Sequence, residues 1–268
     1  MTEQELMQQV QESFKNDNPR SYQAHLQSRP PQWEQDAVEV VCQAASFCHM
    51  HVVHLSYAGC LDVIAKTKAD PNKRLSVETC PHYLMFDDTM IPDGDTRFKC
   101  FPPIRDADNR ERLWQGLVGA LIDMVASDHS PCEPSLRRPG NMKDAWGGLT
   151  GLQYQLAATW TEAYRRKASL LDMARWWSYN PCKLAGLTDT KGSLEAGKQA
   201  DFCWWDPRHV AAPNSYSHEY HRWKGDTVYA SDANLRGRIL GTWVNGAEVY
   251  RGKDDVHLGD PVGRFHVG

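Results

Sequence analysis

The chain has 268 residues, a formal net charge of -4 and 24% charged residues. This length suits one large domain, or a large domain with a small satellite. Because the sequence has no basic stripe and no block of like charge, its charge pattern argues against nucleic acid and against an anionic membrane surface as partners. We therefore expect a small-molecule or protein partner.

The cysteines and the hydropathy pattern indicate a soluble intracellular protein. Eight cysteines are scattered without a C-x-x-C pair or a regular framework, which is typical of a reducing compartment with mostly buried thiols. The amino-terminal "MTEQELMQQVQESFKNDNPR" lacks the apolar core of a signal peptide, and no window holds about 18 consecutive apolar residues.

Strands and helices are predicted to alternate through the first half of the chain. A helix runs from about Trp33 to His49, and "HVVHLS" then reads as a strand, "YAGCLDVIAKTKAD" as a helix and "RLSVETC" as a second strand. After a long loop, we expect a helix from Arg110 to about Gly119 and a strand over Ile122–Ser127. Such alternation predicts a parallel sheet, either in a barrel or in a doubly wound fold.

The pattern changes in the last third. Two helices are predicted at about 149–166 and 170–179, the second opened by Ser169 as an N-cap. Beyond about Thr188, short alternating segments surround an Asn245-Gly246 pair, which favours a type I′ hairpin. We expect a small β module there.

Polar side chains follow the predicted strands at their carboxyl ends, where sites form in parallel α/β folds. His51 and His54 should face opposite sides because side chains alternate along a strand, so only His54 lies where a ligand is needed. Asp128 ends the strand Ile122–Ser127. A histidine and an aspartate on neighbouring strands suit zinc, and the carboxylate could also accept a proton. The alternative is a core histidine beside a turn-capping aspartate.

Several long motifs resemble the allantoinases, which are cyclic amidohydrolases of the dihydroorotase and dihydropyrimidinase branch. They are "SVETCPHYLMF", "IPDGDTRFKCFPPIRDADNRERLW", "IDMVASDHSPC", "AWGGLTGLQ", "WTEA" and "KGSLEAGKQADFCWWDP". The match begins near Tyr22 and reaches the terminal hairpin, with the motifs in the expected order. The cysteine of "KCFPPIR" and the "DHSPC" run are more similar to allantoinase than to dihydropyrimidinase.

This resemblance implies an α/β fold: the carboxyl-terminal part of a (β/α)8 TIM-barrel domain over residues 1–188, and a small β-sandwich segment over residues 189–268. It implies two Zn²⁺ ions bridged by a carboxylated lysine, and hydrolysis of a hydantoin-ring amide of (S)-allantoin to allantoate. By motif position His54 corresponds to a metal ligand, and Asp128 to a metal ligand that also transfers the proton. His82 and His129 are expected to be structural or to support the ligands, whereas Cys100 and Ser130 correspond to substrate-binding positions.

One departure from the family pattern limits these expectations. The other ligands come from earlier strands, and only 53 residues precede His54, whereas a (β/α)8 barrel takes about 250 residues. The one His-x-His of the sequence, His49-Met50-His51, directly precedes His54 and does not lie on an earlier strand, and the bridging lysine has no counterpart. We therefore expect a fragment with an incomplete metal site. Two alternatives stay open: a non-catalytic truncated paralogue that acts as an interaction or oligomerisation module, and a dihydropyrimidinase-like hydrolase.

The resemblance also implies a homo-oligomer, a tetramer in the family. Its compartment stays open among cytoplasm, peroxisome and mitochondrion, because a missing amino terminus would take any targeting peptide with it.

Overall fold

The computed structural model describes residues 18–211, 222–223, 225–229, 234–252 and 256–263, together with residues 8, 10, 12 and 14. The chain divides into two compact units. The first comprises Met1–Gln155 and His218–Ser231, and the second comprises Leu156–Ser217 and Asp232–Gly268. The boundary expected after residue 188 stays a prediction. Within the described ranges, no helix has the length and apolarity needed to cross a membrane.

The first unit alternates helices with a three-stranded parallel sheet. Its elements are α1 (Tyr22–Gln27), α2 (Pro31–Ala44), β1 (His49–Val52), α3 (Leu61–Ala69), β2 (Arg74–Thr79), α4 (Pro81–Met85), α5 (Ala107–Val118), β3 (Met124–Val125) and α6 (Pro134–Arg137). The strand order is β1-β2-β3, and both pairings are parallel. The predicted α/β class with a parallel sheet is confirmed.

Local chemistry sets the helix boundaries of this unit. Pro31 opens α2, since a proline at the first turn loses no helical hydrogen bond. Asp106 caps α5 by accepting a hydrogen bond from the Asn109 backbone amide at 2.8 Å. Helix α5 then buries Leu113, Trp114 and Leu117, which share one face at helical spacing.

Both candidate strands are shorter than the sequence indicates. Strand β1 was expected over His51–Ser56 but lies at His49–Val52, and β3 covers two residues of the predicted Ile122–Ser127. His54 lies inside the predicted β1, and its positive φ of 39° is incompatible with a continuing strand. Asp128, with a φ of 41°, lies just past the predicted end of β3.

The second unit combines helices with an antiparallel sheet. Its elements are α7 (Gln155–Arg165, whose first residue belongs to the first unit), α8 (Leu170–Ala174), a π-helical turn at Arg175–Tyr179, α9 (Asn180–Leu184), β4 (Phe202–Val210), β5 (Arg236–Val244), β6 (Ala247–Gly252) and β7 (Val256–Leu258). The sheet order is β4-β5-β6-β7. Ser169 forms the predicted N-cap, within a capping box with Asp172. Asn245 and Gly246 both have positive φ, as a type I′ turn requires.

Candidate metal and catalytic site

The end of β2 is flanked on both sides by the segments that carry the predicted site residues. On one side the Leu55 amide donates to the Glu78 carbonyl oxygen at 2.9 Å. On the other side the Ala126 amide donates to the Thr79 carbonyl oxygen at 3.0 Å. His54 and Asp128 therefore sit beside the carboxyl end of the same central strand.

Both of these residues hold a strained backbone. The left-handed region costs a side-chain-bearing residue roughly 1–2 kcal/mol, with aspartate somewhat less penalised than most. His54 and Asp128 both occupy it. Strain of this kind accumulates at functional positions, where the surrounding structure enforces it. The sequence pattern, which assumed plain alternation, gave no sign of it.

Charge coupling connects three side chains around this strand end. Burial raises the pKa of Asp128, the neighbouring His54 acts in the opposite direction, and Glu78 raises it further. Asp128 is partly exposed, so its carboxylate is reachable from outside the sheet. A change in the charge of His54 or of Glu78 therefore shifts the pKa of Asp128.

Glu78, to which the sequence analysis assigns no role, contacts His51 of β1 and the backbone of His54 just beyond the strand. Its Oε2 lies 3.0 Å from His51 Nε2, and its Oε1 accepts the His54 backbone amide at 3.4 Å. The other ring nitrogen of His51 lies 2.8 Å from Ser76 Oγ. Both nitrogens of His51 are thus engaged by neighbouring side chains. The glutamate in "VETC" at a strand end was the available signal.

A second carboxylate fixes the loop that follows His54. Glu34 on α2 accepts the backbone amides of Ser56 and Tyr57, each at 2.7 Å, through Oε1. Its Oε2 accepts from Arg105 Nη2 at 3.0 Å, and both partners of that ion pair are nearly buried. A carboxylate with three charge-assisted hydrogen bonds is a rigid anchor. The loop after β1 is therefore tied to α2.

The two expected substrate-binding residues lie on loops that meet at one glycine. Cys100 is buried, and burial raises the pKa of its thiol to about 12. Ser130 is partly exposed and its amide donates to the Leu149 carbonyl oxygen at 3.0 Å. Gly148 donates to the Lys99 carbonyl oxygen at 2.8 Å, and a Cβ on it would lie 2.4 Å from Ser130 Cβ. Gly148 thus joins the two loops, and the assignment of Cys100 and Ser130 to substrate stays a prediction.

Cys80, His82 and Asp128 converge. One donor atom from each, a thiol sulfur, a ring nitrogen and a carboxylate oxygen, lies within 4.8 Å of the other two. Burial lowers the pKa of His82 to about 3, and the nearby His54 lowers it further, so the imidazole is neutral. Burial raises the pKa of Cys80, with Asp128 adding to the effect. The sequence had suggested only a structural or supporting role for His82.

The donors in this chain do not fit the dinuclear centre implied by the resemblance. His54 and Asp128 would supply two ligands of such a centre by motif position, whereas a closed site needs three or four protein ligands in fixed geometry. Among the residues that the structure describes, the group of three donors is the cysteine-containing one, and His54 is outside it. A complete two-metal, lysine-bridged centre cannot be assembled from the described part alone.

An open cavity of about 550 Å³ runs beside β1. Its lining combines apolar side chains of α2 with the end of the strand and includes Trp33, Val38, Val41, Val52, His51 and His54. His51 and His54 therefore border the same space, although plain alternation predicted opposite sides. The left-handed backbone at His54 removes the assumption on which that prediction rested.

The chain belongs to the amidohydrolase family, whose family model matches residues 3–249. Over 97% of its length it is 40% identical to the allantoinase of Arabidopsis thaliana, of which it covers 52%. It is also 40% identical to the allantoinase of Streptomyces avermitilis, with 91% of this chain and 53% of that protein covered. The expected resemblance to allantoinases is confirmed.

The solved structures support the fold. An L-hydantoinase (dihydropyrimidinase) from Arthrobacter aurescens superposes with a TM-score of 0.81 at 24% identity, over 95% of this chain and 56% of that one. A dihydropyrimidinase from Brevibacillus agri gives a TM-score of 0.77. The chain spans about half the length of the relatives that it matches.

Proposed function

We propose that this chain contributes to a zinc-dependent allantoinase, which opens the hydantoin ring of (S)-allantoin to allantoate in purine degradation. The observation that carries the proposal is the position of His54 and Asp128 beside the end of β2, in a chain that is 40% identical to allantoinases. The chain covers about half of those relatives, so we propose that the catalytic unit includes ligands beyond the two found here.

Asp128 is the proposed proton carrier. Its carboxylate takes a proton from the attacking water as the oxygen bonds to the amide carbon, and returns it to the ring nitrogen when the C–N bond breaks. His54 and Asp128 are the proposed zinc ligands, and Cys100 and Ser130 the proposed substrate-binding positions. The backbone amide of His54 bonded to Glu78 holds the histidine in place.

The experiment adds the amino-terminal part of an allantoinase, which this chain does not cover. The 268-residue chain is mixed, with Zn²⁺, with the amino-terminal part of the Arabidopsis allantoinase that has no counterpart here, and allantoate release is measured. We expect turnover in the mixture, its loss on chelation, and its loss in Asp128→Asn. Val53→Ala is the matched control, since Val53 is exposed on the same segment.

Two outcomes would contradict the proposal. Faster hydrolysis of dihydrouracil than of allantoin would favour a dihydropyrimidinase-like enzyme. A stable complex that hydrolyses neither compound would favour a non-catalytic interaction or oligomerisation module. The next measurement would then be whether this chain forms the homo-oligomer that the resemblance implies.

A further inference from the structure

We propose that Cys80, His82 and Asp128 form a mononuclear site for a borderline divalent cation such as Zn²⁺, complete within this chain. It goes beyond the proposed function, because it needs no ligand from outside the chain and no turnover. It shares Asp128 with the proposed catalytic arrangement, and binding alone tests it.

The backbone brings the three donors together at one end of the sheet. Cys80 directly follows β2 in an extended conformation and precedes Pro81, which opens α4. His82 lies in the first turn of α4, so its ring returns toward the strand end. Asp128 follows β3, the parallel neighbour of β2. Two strand ends and one short helix therefore supply one ligand each.

The separation of the donors is close to that required by one ion. A Zn–S bond is about 2.3 Å and a Zn–N bond about 2.0–2.1 Å, so these two donors lie about 3.5 Å apart on a tetrahedral zinc. The donors lie within 4.8 Å of one another before any ion is bound. Side-chain movements of up to about 1.3 Å would bring the donors to the tetrahedral separation.

His82 supplies the independent observation. Its side chain is fully buried, and within the described part of the chain neither ring nitrogen has a hydrogen-bond partner. A buried polar group left without a partner costs about 1–3 kcal/mol, so such groups call for an explanation. The ring packs edge-on against Tyr83, with the centroids 4.1 Å apart, which leaves the in-plane nitrogens unused. A metal ion would take up one of them.

The donor set selects the cation. A thiolate with an imidazole and a carboxylate suits zinc, whereas magnesium and calcium take oxygen ligands. On binding, the Cys80 thiol loses its proton to solvent and the sulfur bonds to the metal. Three protein ligands leave a fourth tetrahedral position for water, and Asp128 is the one of the three that is partly exposed.

The test is metal binding to the metal-free 268-residue chain. Titration with Co²⁺ should give one ion per chain and a thiolate-to-cobalt charge-transfer band in the near ultraviolet. Zinc X-ray absorption should give one sulfur neighbour at about 2.3 Å. We expect Cys80→Ser to abolish the band, and His82→Asn and Asp128→Asn to weaken binding by at least about 10-fold.

Matched variants separate this site from its alternatives. Cys60→Ser removes an equally buried thiol of the same unit and should leave binding unchanged. His54→Asn should also retain the band, because His54 is outside the group of three. If the buried-residue variants fail to fold, Asp128→Asn still tests the site, since that side chain is partly exposed.

A band that persists in Cys80→Ser would overturn the proposal. So would absence of cobalt binding to the folded parent chain, or a loss on His54→Asn equal to that on His82→Asn. None of these results depends on allantoin hydrolysis, so the proposed function and this site can fail separately.

Discussion

His54 and Asp128 flank the same strand end from opposite sides and share one backbone conformation, with φ angles of 39° and 41°. The strand between them, β2, hydrogen-bonds to both flanking segments. His54 lies two residues after β1 and Asp128 three residues after β3, so both polar residues lie just past strand ends at the same edge of the sheet.

This strain predicts an unusual preference for glycine. Glycine enters the left-handed region at no steric cost, whereas alanine is penalised by roughly 1 kcal/mol or more. We expect His54→Gly to be more stable than His54→Ala by about 1 kcal/mol, measured by urea unfolding. Val53 has no positive φ and is the control, so Val53→Gly should be less stable than Val53→Ala. If the alanine variant were more stable than the glycine variant at both positions, the backbone at His54 would not be strained in solution.

Replacing one partner of the buried ion pair between Arg137 and Asp226 should strongly destabilise the protein. Arg137 Nε and Nη2 donate to the two carboxylate oxygens at 2.7 and 2.6 Å, and both side chains are buried. Asp226→Ala would leave a buried guanidinium unpaired, so we expect a loss of about 3–5 kcal/mol of unfolding free energy.

The control for this pair is an exposed one. Arg138 and Asp144 lie 3.7 Å apart with more than half of each side chain exposed, so Asp144→Ala should cost less than about 1 kcal/mol. Equal effects of Asp144→Ala and Asp226→Ala would contradict the burial argument.

His25 predicts a loss of stability in acid. Burial lowers the pKa of this histidine from 6.5 to about 4, the Cys100 carbonyl oxygen opposes the shift, and the charges of Lys99 and Arg29 add to it. Between pH 6.5 and 4 the unfolded chain binds a proton that the folded chain does not. Stability from this group is therefore complete above pH 6.5 and falls as the pH drops to 4, by up to about 3 kcal/mol. Urea unfolding of the parent chain and of His25→Gln, at pH 7.5 and 4.5, measures the difference. An identical acid loss in both proteins would rule out this source.

Glu34 predicts a graded effect on the loop after β1. Glu34→Gln keeps an oxygen for the Ser56 and Tyr57 amides but loses the charge paired with Arg105, whereas Glu34→Ala loses both. We expect Glu34→Ala to cost at least about 3 kcal/mol and Glu34→Gln less. Val40→Ala, at an exposed position of the same helix, is a control for helix α2. Equal losses for the two Glu34 variants would assign the whole effect to the ion pair.

Local signals in the sequence predicted much of the fold. The serine at 169 and the Asn245-Gly246 pair act on their own neighbours, so their cap and turn were readable directly. The strand and helix alternation likewise gave the parallel sheet. Strand ends were less predictable, because the left-handed conformations at His54 and Asp128 are imposed by packing around β2 and leave no local pattern.

The candidate site shows the same limit. His54 and Asp128 could be selected because each follows an apolar strand. The convergence of Cys80 and His82 with Asp128 depends on how α4 folds back on β2 and on the neighbouring strand, over 40 residues away in sequence. The full burial of His82 is likewise a property of the folded state.

Gly148 makes the loops of Cys100 and Ser130 open as one unit. Its amide donates to the Lys99 carbonyl oxygen, a Cβ on it would collide with Ser130, and its carbonyl oxygen accepts from Arg137 Nη1 at 2.5 Å. Releasing either loop therefore exposes the amides of Gly148 and Ser130 together. Hydrogen exchange at these two amides should proceed at the rate of one shared opening event.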